Sequence, residues 1–334
     1  MDLKLEIAKR GEKALDFLLK RANELIYPEN PLREAALHYP QAGGKGFRPA
    51  MLQLVCGALG GNEDESIPVS AAIEAVHVSS LIHDDWMDTD ELRRGRPAVW
   101  KKWNPTIAIL AGDVLYGVAF AIAGEIPNLT DELRYAISKE LAEIYIKLCH
   151  GQMLDIGYED INFNDLSIEQ IKNMQYLKTG VLFEFSCVTG ARLALNKLED
   201  DFIDLIREYA IFSGTAFQIQ DDIIGLIGEP DEIGKPVGSD IIEGKRTIIA
   251  VHAVNNANPS QKTELLSILG NKSATPTDIE RCLQLMHEIG SINYAKALAT
   301  DLAQKAIEIT DLLPKNKNTE LLKAFGSHMV ERNF

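Results

Sequence analysis

Apolar side chains recur at intervals of three and four residues along most of this 334-residue chain, which is the period of amphipathic α-helices. No stretch shows the period-two alternation of a half-buried strand. The pattern predicts an all-α protein whose longest helices surround a central cavity. The predicted helices cover residues 3–26, 49–60, 67–92, 105–124, 129–157, 167–195, 198–227, 241–256, 259–269, 275–289, 291–313 and 316–331.

Glycine, proline and capping residues separate the predicted helices. Ser167 and Gln170 have the spacing of a capping box at one helix start. Two loops rich in glycine and proline, residues 39–49 and 229–239, interrupt the helical pattern. No segment has the composition of a linker and no internal repeat is visible. The sequence therefore predicts one domain over residues 1–334.

Composition narrows the class of protein. Hydrophobic residues make up 46% and charged residues 25%, as in an ordinary globular chain, and the net charge of −15 argues against a nucleic-acid surface. The most apolar stretch, residues 106–126, contains Asp113 and is interpreted as a core helix rather than a membrane span. The N-terminus lacks the apolar segment of a signal peptide. Four scattered cysteines predict reduced thiols in a cytoplasmic protein: Cys56, Cys149, Cys187 and Cys282.

One strongly charged stretch follows an apolar run. Residues 81–95 contain five acids and two arginines, directly after residues 71–82, which predict a buried helix. Asp84 and Asp88 project from one face of that helix, about one turn (~5–6 Å) apart. Two unpaired carboxylates at that spacing repel each other, so a cation is expected between them. The alternative is a solvated helix end whose acids pair with the two arginines.

A second acidic pair favours the cation. Asp221 and Asp222 lie inside the apolar helical pattern of residues 214–225, where carboxylates without partners would be strongly destabilising. Mg²⁺ relieves such a cost, because it binds a few carboxylates together with water and substrate phosphates. Neither stretch has the loop glycine and closing glutamate of an EF-hand. We therefore predict two facing acidic helices that clamp a diphosphate through Mg²⁺.

These motifs resemble those of the trans-isoprenyl diphosphate synthases, and the resemblance extends from about Gly43 to the C-terminus. Residues 84–88, Asp-Asp-x-x-Asp, followed by Arg-Arg-Gly at 93–95, are similar to the family's first aspartate-rich motif. Residues 217–222, Phe-Gln-x-x-Asp-Asp, are similar to the second. The resemblance implies the isoprenoid synthase type I fold, three Mg²⁺ per active site and a homodimer. It implies head-to-tail condensation of an allylic prenyl diphosphate with isopentenyl diphosphate, in which diphosphate itself accepts the final proton.

The resemblance also implies roles for single residues. Those implied in binding isopentenyl diphosphate are Gly44, Lys45, Arg48, His77 and Arg94. Those implied around the allylic substrate are Arg93, Gln152, Lys178, Phe217, Gln218, Lys235 and Lys245. The implied metal ligands are Asp84, Asp85, Asp88, Asp155, Asp221 and Asp222. The residues implied in catalysis are Asp84, Asp88, Arg93, Lys178, Thr179, Gln218, Asp221 and Lys235.

Position 225 departs from the family pattern. Many members carry a third aspartate there, one turn after Asp221, whereas this chain has Gly225. We expect Asp221 to remain a metal ligand, with Asp222 in a supporting role. Asp240 is the candidate to compensate, because residues 234–240 resemble the family's lysine-containing loop.

Small side chains before the first motif bear on product length. Each isoprene unit is about as long as one helical turn (~5.4 Å), so each turn of this helix can act as a ruler mark. Short-chain family members often carry an aromatic floor at the positions of Ser79 and Ser80, which share a helix flank with Val76. We predict geranylgeranyl diphosphate as the product, with a longer product as the alternative. The candidates for a deeper floor are Tyr116 and Phe120.

Two other functions are weighed against this prediction. A class I terpene cyclase shares the fold and the first motif, but the second half of the chain lacks the usual Asn-Asp-x-x-Ser/Thr-x-x-x-Glu motif. The glycine-rich turn at residues 43–48 carries two cations and is suited to a second diphosphate, which a cyclase does not need. A non-catalytic subunit of a heteromeric synthase tends to lose the acidic motifs, and this chain keeps both.

Overall fold

The computed structural model describes residues 2–28, 30–227 and 238–331. The predicted all-α fold is confirmed. The helices are α1 Leu3–Leu25, α2 Pro31–Leu37, α3 Phe47–Ala58, α4 Ile67–Met87, α5 Val99–Lys102, α6 Pro105–Ala123, α7 Asp131–Glu159, α8 Ile168–Gln175, α9 Val181–Leu195, α10 Asp201–Ile227, α11 Ser239–Glu243, α12 Ile248–Asn256, α13 Pro259–Ile268, α14 Pro276–Glu288, α15 Ser291–Thr310 and α16 Lys317–Glu331. The remaining regular elements are 3₁₀ turns at Pro40–Ala42, Glu63–Ser66 and Phe163–Asp165, a π-helical turn at Tyr176–Gly180, and strands β1 Leu92–Arg93 and β2 Arg96–Pro97.

The chain divides into two compact units. The first unit comprises Met1–Tyr145, Leu182–Arg207 and Thr310–Ala324. The second unit comprises Ile146–Val181, Glu208–Ile309 and Phe325–Phe334. Each unit carries one of the two acidic motifs, and each is described by itself below. The single domain expected from the sequence stays a prediction.

Helices α4 and α6 form the centre of the first unit. They pack closely because small residues line their contact: the buried Ser79 hydroxyl of α4 donates to the Gly112 carbonyl of α6 at 2.7 Å. A Cβ at Gly112 would lie 2.6 Å from carbon atoms of the His83 ring, so only glycine leaves room for this histidine. Asn104 caps α6 by accepting from the Ile107 amide at 2.9 Å. The contact with α6 therefore supports the end of α4 that carries the first motif.

Helix α6 is the apolar segment that the sequence analysis interprets as a core helix. It is long and apolar enough to cross a membrane, but half of its most apolar window is buried inside the protein. The exposed side presents Ile109, Leu110 and Phe120, which are 45%, 46% and 39% exposed. The helix therefore contributes to the core with one face and leaves a second apolar face at the surface.

The predicted helix 67–92 ends early. Helix α4 stops at Met87, and residues 92–97 form a two-stranded antiparallel hairpin in which Arg93 pairs with Arg96. The two central residues, Arg94 and Gly95, have positive φ values of 53° and 73°, as in the type I′ turn that suits the twist of a hairpin. The expectation of no strand was wrong here, because two-residue strands are too short to show an alternating pattern.

The second unit packs around α12. Ile248, Ile249 and Val251 of this helix are fully buried in a cluster that also takes in Ile219 and Ile223 of α10. This cluster packs against α10 at the level of the second motif. The buried helix gives that motif a rigid support.

The structure differs from the predicted helices at three further places. Helix α2 was not among the predicted helices, although Asn30 caps it and Pro31 begins it. The predicted helix 241–256 is two helices, α11 and α12, because Gly244 turns the chain with a φ of 68°. The predicted helix 167–195 contains the π-helical turn Tyr176–Gly180 between α8 and α9. The capping box of Ser167 and Gln170 is confirmed.

Candidate active site

The last turn of α4 presents the first acidic motif. Asp84 is partly exposed and Asp88, the C-terminal cap, is exposed, with the Asp88 amide donating to the Asp84 carbonyl at 2.8 Å. Asp85, between them, is completely buried. The motif thus separates into two carboxylates at the surface and one that points into the protein.

Asp85 holds Arg93. The Arg93 Nε donates to Asp85 Oδ1 at 2.8 Å, and the Tyr39 hydroxyl donates to Asp85 Oδ2 through a short hydrogen bond. The Tyr39 oxygen in turn accepts from the Val99 amide at 3.2 Å. Burial, reinforced by Asp85, raises the pKa of Tyr39, so the phenol stays a donor. Both oxygens of Asp85 accept hydrogen bonds inside the protein, so this carboxylate is suited to anchor Arg93. Sequence reasoning missed Tyr39.

Four residues predicted to bind isopentenyl diphosphate come together in the first unit. Arg48 Nη1 donates to His77 Nε2 at 3.2 Å. A Cβ at Gly44 would lie 2.9 Å from Nη2 of Arg94, so glycine lets this guanidinium approach the backbone. Burial and then the charges of Arg48 and Arg94 hold the pKa of His77 well below its usual range, which keeps the ring neutral. Lys45 lies exposed on the same turn.

Glu74 completes this cluster, and the sequence analysis did not identify it. Its side chain is 7% exposed, and burial raises its pKa against the pull of Arg48 and Arg94. The signal was present, because Glu74 is the only acid in the apolar run from 67 to 82. One buried carboxylate cannot balance several cations. The cluster therefore retains positive charge that suits an anionic ligand.

The second motif lies on α10 in the second unit. Asp222 Oδ2 accepts from Gln175 Nε2 at 2.7 Å, and the side chain of Gln218 also bonds to this carboxylate. Burial, followed by repulsion from Asp240 and Asp221, raises the pKa of Asp222 to about 7. Gln175 escaped sequence reasoning because no local pattern links it to α10.

The π-helical turn Tyr176–Gly180 carries Lys178 and Thr179. Lys178 Nζ donates to Asp155 Oδ2 of α7 at 2.5 Å, so two residues predicted around the allylic substrate form an ion pair. A Cβ at Gly151 would lie 2.6 Å from Lys178 Cα, so glycine allows the turn to lie directly on α7. Turns of this kind recur at functional sites.

Gln152 follows Gly151 and is 7% exposed. In the described part of the chain, neither polar atom of its amide has a hydrogen-bond partner. A buried amide left in this state is costly, and a ligand with both donors and acceptors, or water, would relieve it. A diphosphate, which only accepts hydrogen bonds, would satisfy the Nε2 group alone, and the predicted contact to the allylic substrate stays a prediction.

The remaining predicted residues are Lys245, Lys235 and Phe217, and Lys245 follows α11. Lys245 Nζ pairs with Asp240 Oδ1 at 3.1 Å and with Glu243 Oε2 at 3.2 Å. Although burial opposes its charge, these two acids raise the pKa of Lys245. Lys235 lies outside the described residues, and Phe217 lies on α10 one turn before the acidic pair.

The second-unit carboxylates fit a divalent cation. Asp222 is repelled by both Asp240 and Asp221, and a bound divalent cation would relieve that repulsion. Among the described residues, no three acidic, histidine or cysteine side chains converge on a preformed metal site. Mg²⁺ binds a few carboxylates and completes its shell with water and substrate phosphate.

The residues predicted to control product length are buried. Val76 and Ser79 have no exposed surface, whereas Ser80 keeps 8% and donates to the His77 carbonyl at 2.8 Å. On α6, the Tyr116 ring lies against Tyr145 with centroids 3.8 Å apart. The structure thus turns Ser79 toward α6 rather than toward open space.

Comparison with known proteins agrees with these features. The family model "Polyprenyl synthetase" matches residues 29–286. A geranylgeranyl diphosphate synthase of Saccharolobus solfataricus is 37% identical over 305 residues, 90% of each chain. A geranylfarnesyl diphosphate synthase of Aeropyrum pernix is 36% identical over 90% of this chain and 94% of its own. The crystal structure of a geranylgeranyl pyrophosphate synthetase from Pyrococcus horikoshii Ot3 matches with a TM-score of 0.90 at 35% identity, covering 99% and 98% of the two chains.

Proposed function

Because this chain belongs to the polyprenyl synthetase family, whose enzymes join prenyl diphosphates head to tail, we propose that it makes geranylgeranyl diphosphate from an allylic diphosphate and isopentenyl diphosphate. The observation that best supports this reaction is the cationic cluster beside the first acidic motif. Arg48 bonds to His77, Arg94 lies against Gly44, and both guanidinium charges act on His77, so the cluster is suited to a second diphosphate. A terpene cyclase, which has one diphosphate substrate, has no use for this cluster.

In this proposal the first-unit cluster binds isopentenyl diphosphate. Arg48 and Arg94 donate to the diphosphate oxygens, and the exposed Lys45 adds a mobile cation at the rim. His77 is neutral, so it orients Arg48 by accepting its hydrogen bond and adds no charge of its own. Glu74 limits the excess of positive charge before the substrate arrives.

The allylic diphosphate meets a second group of cations. Arg93 is held by Asp85, and Lys178 is held by Asp155. In this proposal each cation stabilises negative charge on the leaving diphosphate. Magnesium ions, three in our proposal, supply further electrophilic stabilisation when bound. The residues that would hold them are Asp84, Asp88, Asp155, Asp221 and Asp222.

Bond formation then needs no side-chain base. The allylic cation is attacked by the double bond of isopentenyl diphosphate, and the released diphosphate takes the proton that is lost. The backbone of Lys178 and Thr179 and the amide of Gln218 are suited to stabilise the cation. Apolar walls exclude water that would otherwise quench it.

Product length is the finer part of the proposal. Small side chains at Val76, Ser79 and Ser80 leave no aromatic floor in the turns before the first motif. Relatives named for twenty- and twenty-five-carbon products match this chain almost equally well, so the floor residues decide between them. We favour geranylgeranyl diphosphate, and the deeper floor is assigned to Tyr116.

The test is product analysis. The purified chain is incubated with labelled isopentenyl diphosphate, an allylic starter and Mg²⁺, and the products are separated by length. Label in a linear twenty-carbon product supports the proposal. Label in a longer product would overturn the assignment of length, and no label in any product would overturn the reaction. A non-catalytic subunit would give that last result.

Replacing Asp84 or Asp221 by alanine tests the acidic motifs. Each change removes a metal-binding carboxylate while alanine preserves the helix. We expect a rate loss of about a thousandfold, equivalent to roughly 4 kcal/mol. The measurement is single-turnover rate together with the helical circular dichroism spectrum. Near-normal turnover in a folded variant would contradict the role of that motif.

We further propose a homodimer in the cytoplasm. The exposed apolar face of α6, with Ile109, Leu110 and Phe120, needs a cover, and a second copy of the chain provides one with the same apolar character. The mass of the purified protein in solution, compared with that of Leu110→Lys, tests this assignment. A wild-type monomer would contradict it.

A further inference from the structure

The missing side chain at position 225 leaves space on α10 that another residue fills. Gly225 is one turn after Asp221 and therefore on the same helix face. A Cβ at Gly225 would lie 3.0 Å from Oδ2 of Asp240 and 3.9 Å from its Cγ, with no other described atom within 4 Å. The Asp240 carboxylate thus occupies the space that a side chain at 225 would need.

Asp240 is held firmly in that place. Lys245 pairs with Asp240 Oδ1 from one side, which leaves Oδ2 directed at Gly225. The Lys245 amide also donates to the Asp240 carbonyl at 3.0 Å. The next residue, Ile241, is buried, and its carbonyl accepts from the Gly270 amide at 2.9 Å. The position of the carboxylate is therefore set by backbone contacts on both sides.

The Asp240 carboxylate lies beside the second motif. Asp222 is repelled by both Asp240 and Asp221, so the three acids share one electrostatic environment. Gln175 orients Asp222 by donating to its Oδ2. With Asp222 held by an amide, Asp221 and Asp240 are the acids on the side of α10 that Gly225 opens.

We propose that Asp240 supplies, from α11, the carboxylate that α10 lacks at position 225. A divalent cation that carries diphosphate would then bind Asp221 together with Asp240, so the second motif is completed by a separate segment of the chain. This inference rests on the proposed function for the presence of a magnesium–diphosphate complex at α10.

A carboxylate exchange tests the inference. Asp240→Ala removes the group, and Gly225→Asp/Asp240→Ala returns a carboxylate from α10 into the vacated space. Binding of Mg²⁺ in the presence of inorganic diphosphate is measured by calorimetry. We expect Asp240→Ala to weaken Mg²⁺ binding about tenfold or more and the double variant to recover to within about threefold of wild type. Gly225→Asp alone should lower the melting temperature, because two carboxylates then compete for one space.

Matched variants separate a ligand from a structural role. Glu243→Ala removes the other acid that pairs with Lys245 and should leave Mg²⁺ binding within about twofold of wild type. Asp240→Asn keeps the shape of the side chain and should lose as much Mg²⁺ affinity as Asp240→Ala. This variant tests the inference even if the double variant does not fold. Wild-type Mg²⁺ affinity in Asp240→Asn, or a folded double variant no better than Asp240→Ala, would overturn the inference.

The proposed reaction is judged separately. If wild type binds Mg²⁺ and diphosphate but makes no prenyl product, the proposed function is wrong. The Mg²⁺ affinities of the Asp240 and Gly225 variants then still test the role of Asp240. If wild type is active and the exchange shows no recovery, only the inference about Asp240 fails.

Discussion

Arg94 occupies a conformation that its residue type disfavours. Its φ of 53° lies in the left-handed region, where asparagine is tolerated far better than arginine. Burial also lowers the pKa of Arg94, so the charged group is itself disfavoured in this place. Strain retained at a ligand site points to a function that needs the guanidinium beside Gly44.

Arg94→Asn separates stability from binding. We expect the free energy of unfolding to rise by about 0.5–1 kcal/mol, because asparagine relaxes the left-handed turn. The KM for isopentenyl diphosphate should rise about tenfold or more, and the KM for the allylic substrate should change little. Urea denaturation and steady-state kinetics measure the two effects. The control is Arg96→Asn, an exposed neighbour on β2. Equal changes in both KM values would contradict the assignment.

His77 makes the stability of the protein depend on pH. Its pKa in the folded state is well below the usual value near 6.5, so below about pH 6.5 the unfolded chain binds the extra proton. The free energy of unfolding should therefore fall as the pH drops from 7.5 to 5.5, by about 1 kcal/mol from this residue. His77→Gln keeps an acceptor for Arg48 and should remove that part of the decline. Denaturation at both pH values measures it, and His150→Gln, at an exposed position, is the control. An unchanged pH dependence in His77→Gln would contradict the argument.

At the scale of elements, close approaches through glycine place the functional turns. Gly151 lets the π-helical turn Tyr176–Gly180 lie on α7, and Gly112 lets α6 lie against the His83 ring of α4. Each contact sits beside residues of the site rather than in a remote part of the core. Helix packing here determines where Lys178 and the first motif are held.

Gly151→Ala tests the first of these contacts. The added methyl would lie 2.6 Å from Leu177 C and Lys178 Cα, which are backbone atoms that cannot rotate away. We expect a loss of about 1–3 kcal/mol of stability and a higher KM for the allylic substrate. Gly157→Ala on the same helix meets nothing within 4 Å and should instead stabilise by up to about 1 kcal/mol. Melting temperatures and kinetics compare the pair, and similar behaviour of the two variants would disprove the packing argument.

At the scale of the whole molecule, product length depends on the depth that the helices leave for the growing chain. Ser79 has no exposed surface and faces α6, so a large side chain there would disturb packing before it met a substrate. Ser80 keeps some exposure one residue closer to the motif. We expect Ser80→Phe to shorten the main product by at least one isoprene unit and to leave the first condensation largely intact. Chromatography of the products measures this, with Ser79→Ala as the control of unchanged length. Products of wild-type length from Ser80→Phe would show that this flank does not face the chain.

The sequence by itself determined the helices and the chemistry. Periodicity predicted nearly all long helices, because an amphipathic face repeats locally and caps such as Ser167 mark its ends. The sequence also determined the family, because each of the two acidic motifs is a contiguous string of residues that is recognised without knowledge of the fold. The positions of Asp84, Asp88 and Asp221 follow directly from those strings.

Only the tertiary structure decided how these residues are partnered. Tyr39 holds Asp85, Gln175 holds Asp222, and Asp240 fills the space at Gly225, in each case across a long stretch of chain. Periodicity reports which face of an element is apolar, but it carries no information about which distant side chain meets that face. The hairpin at residues 92–97 and the π-helical turn Tyr176–Gly180 escaped prediction because each is too short to show a repeating apolar pattern.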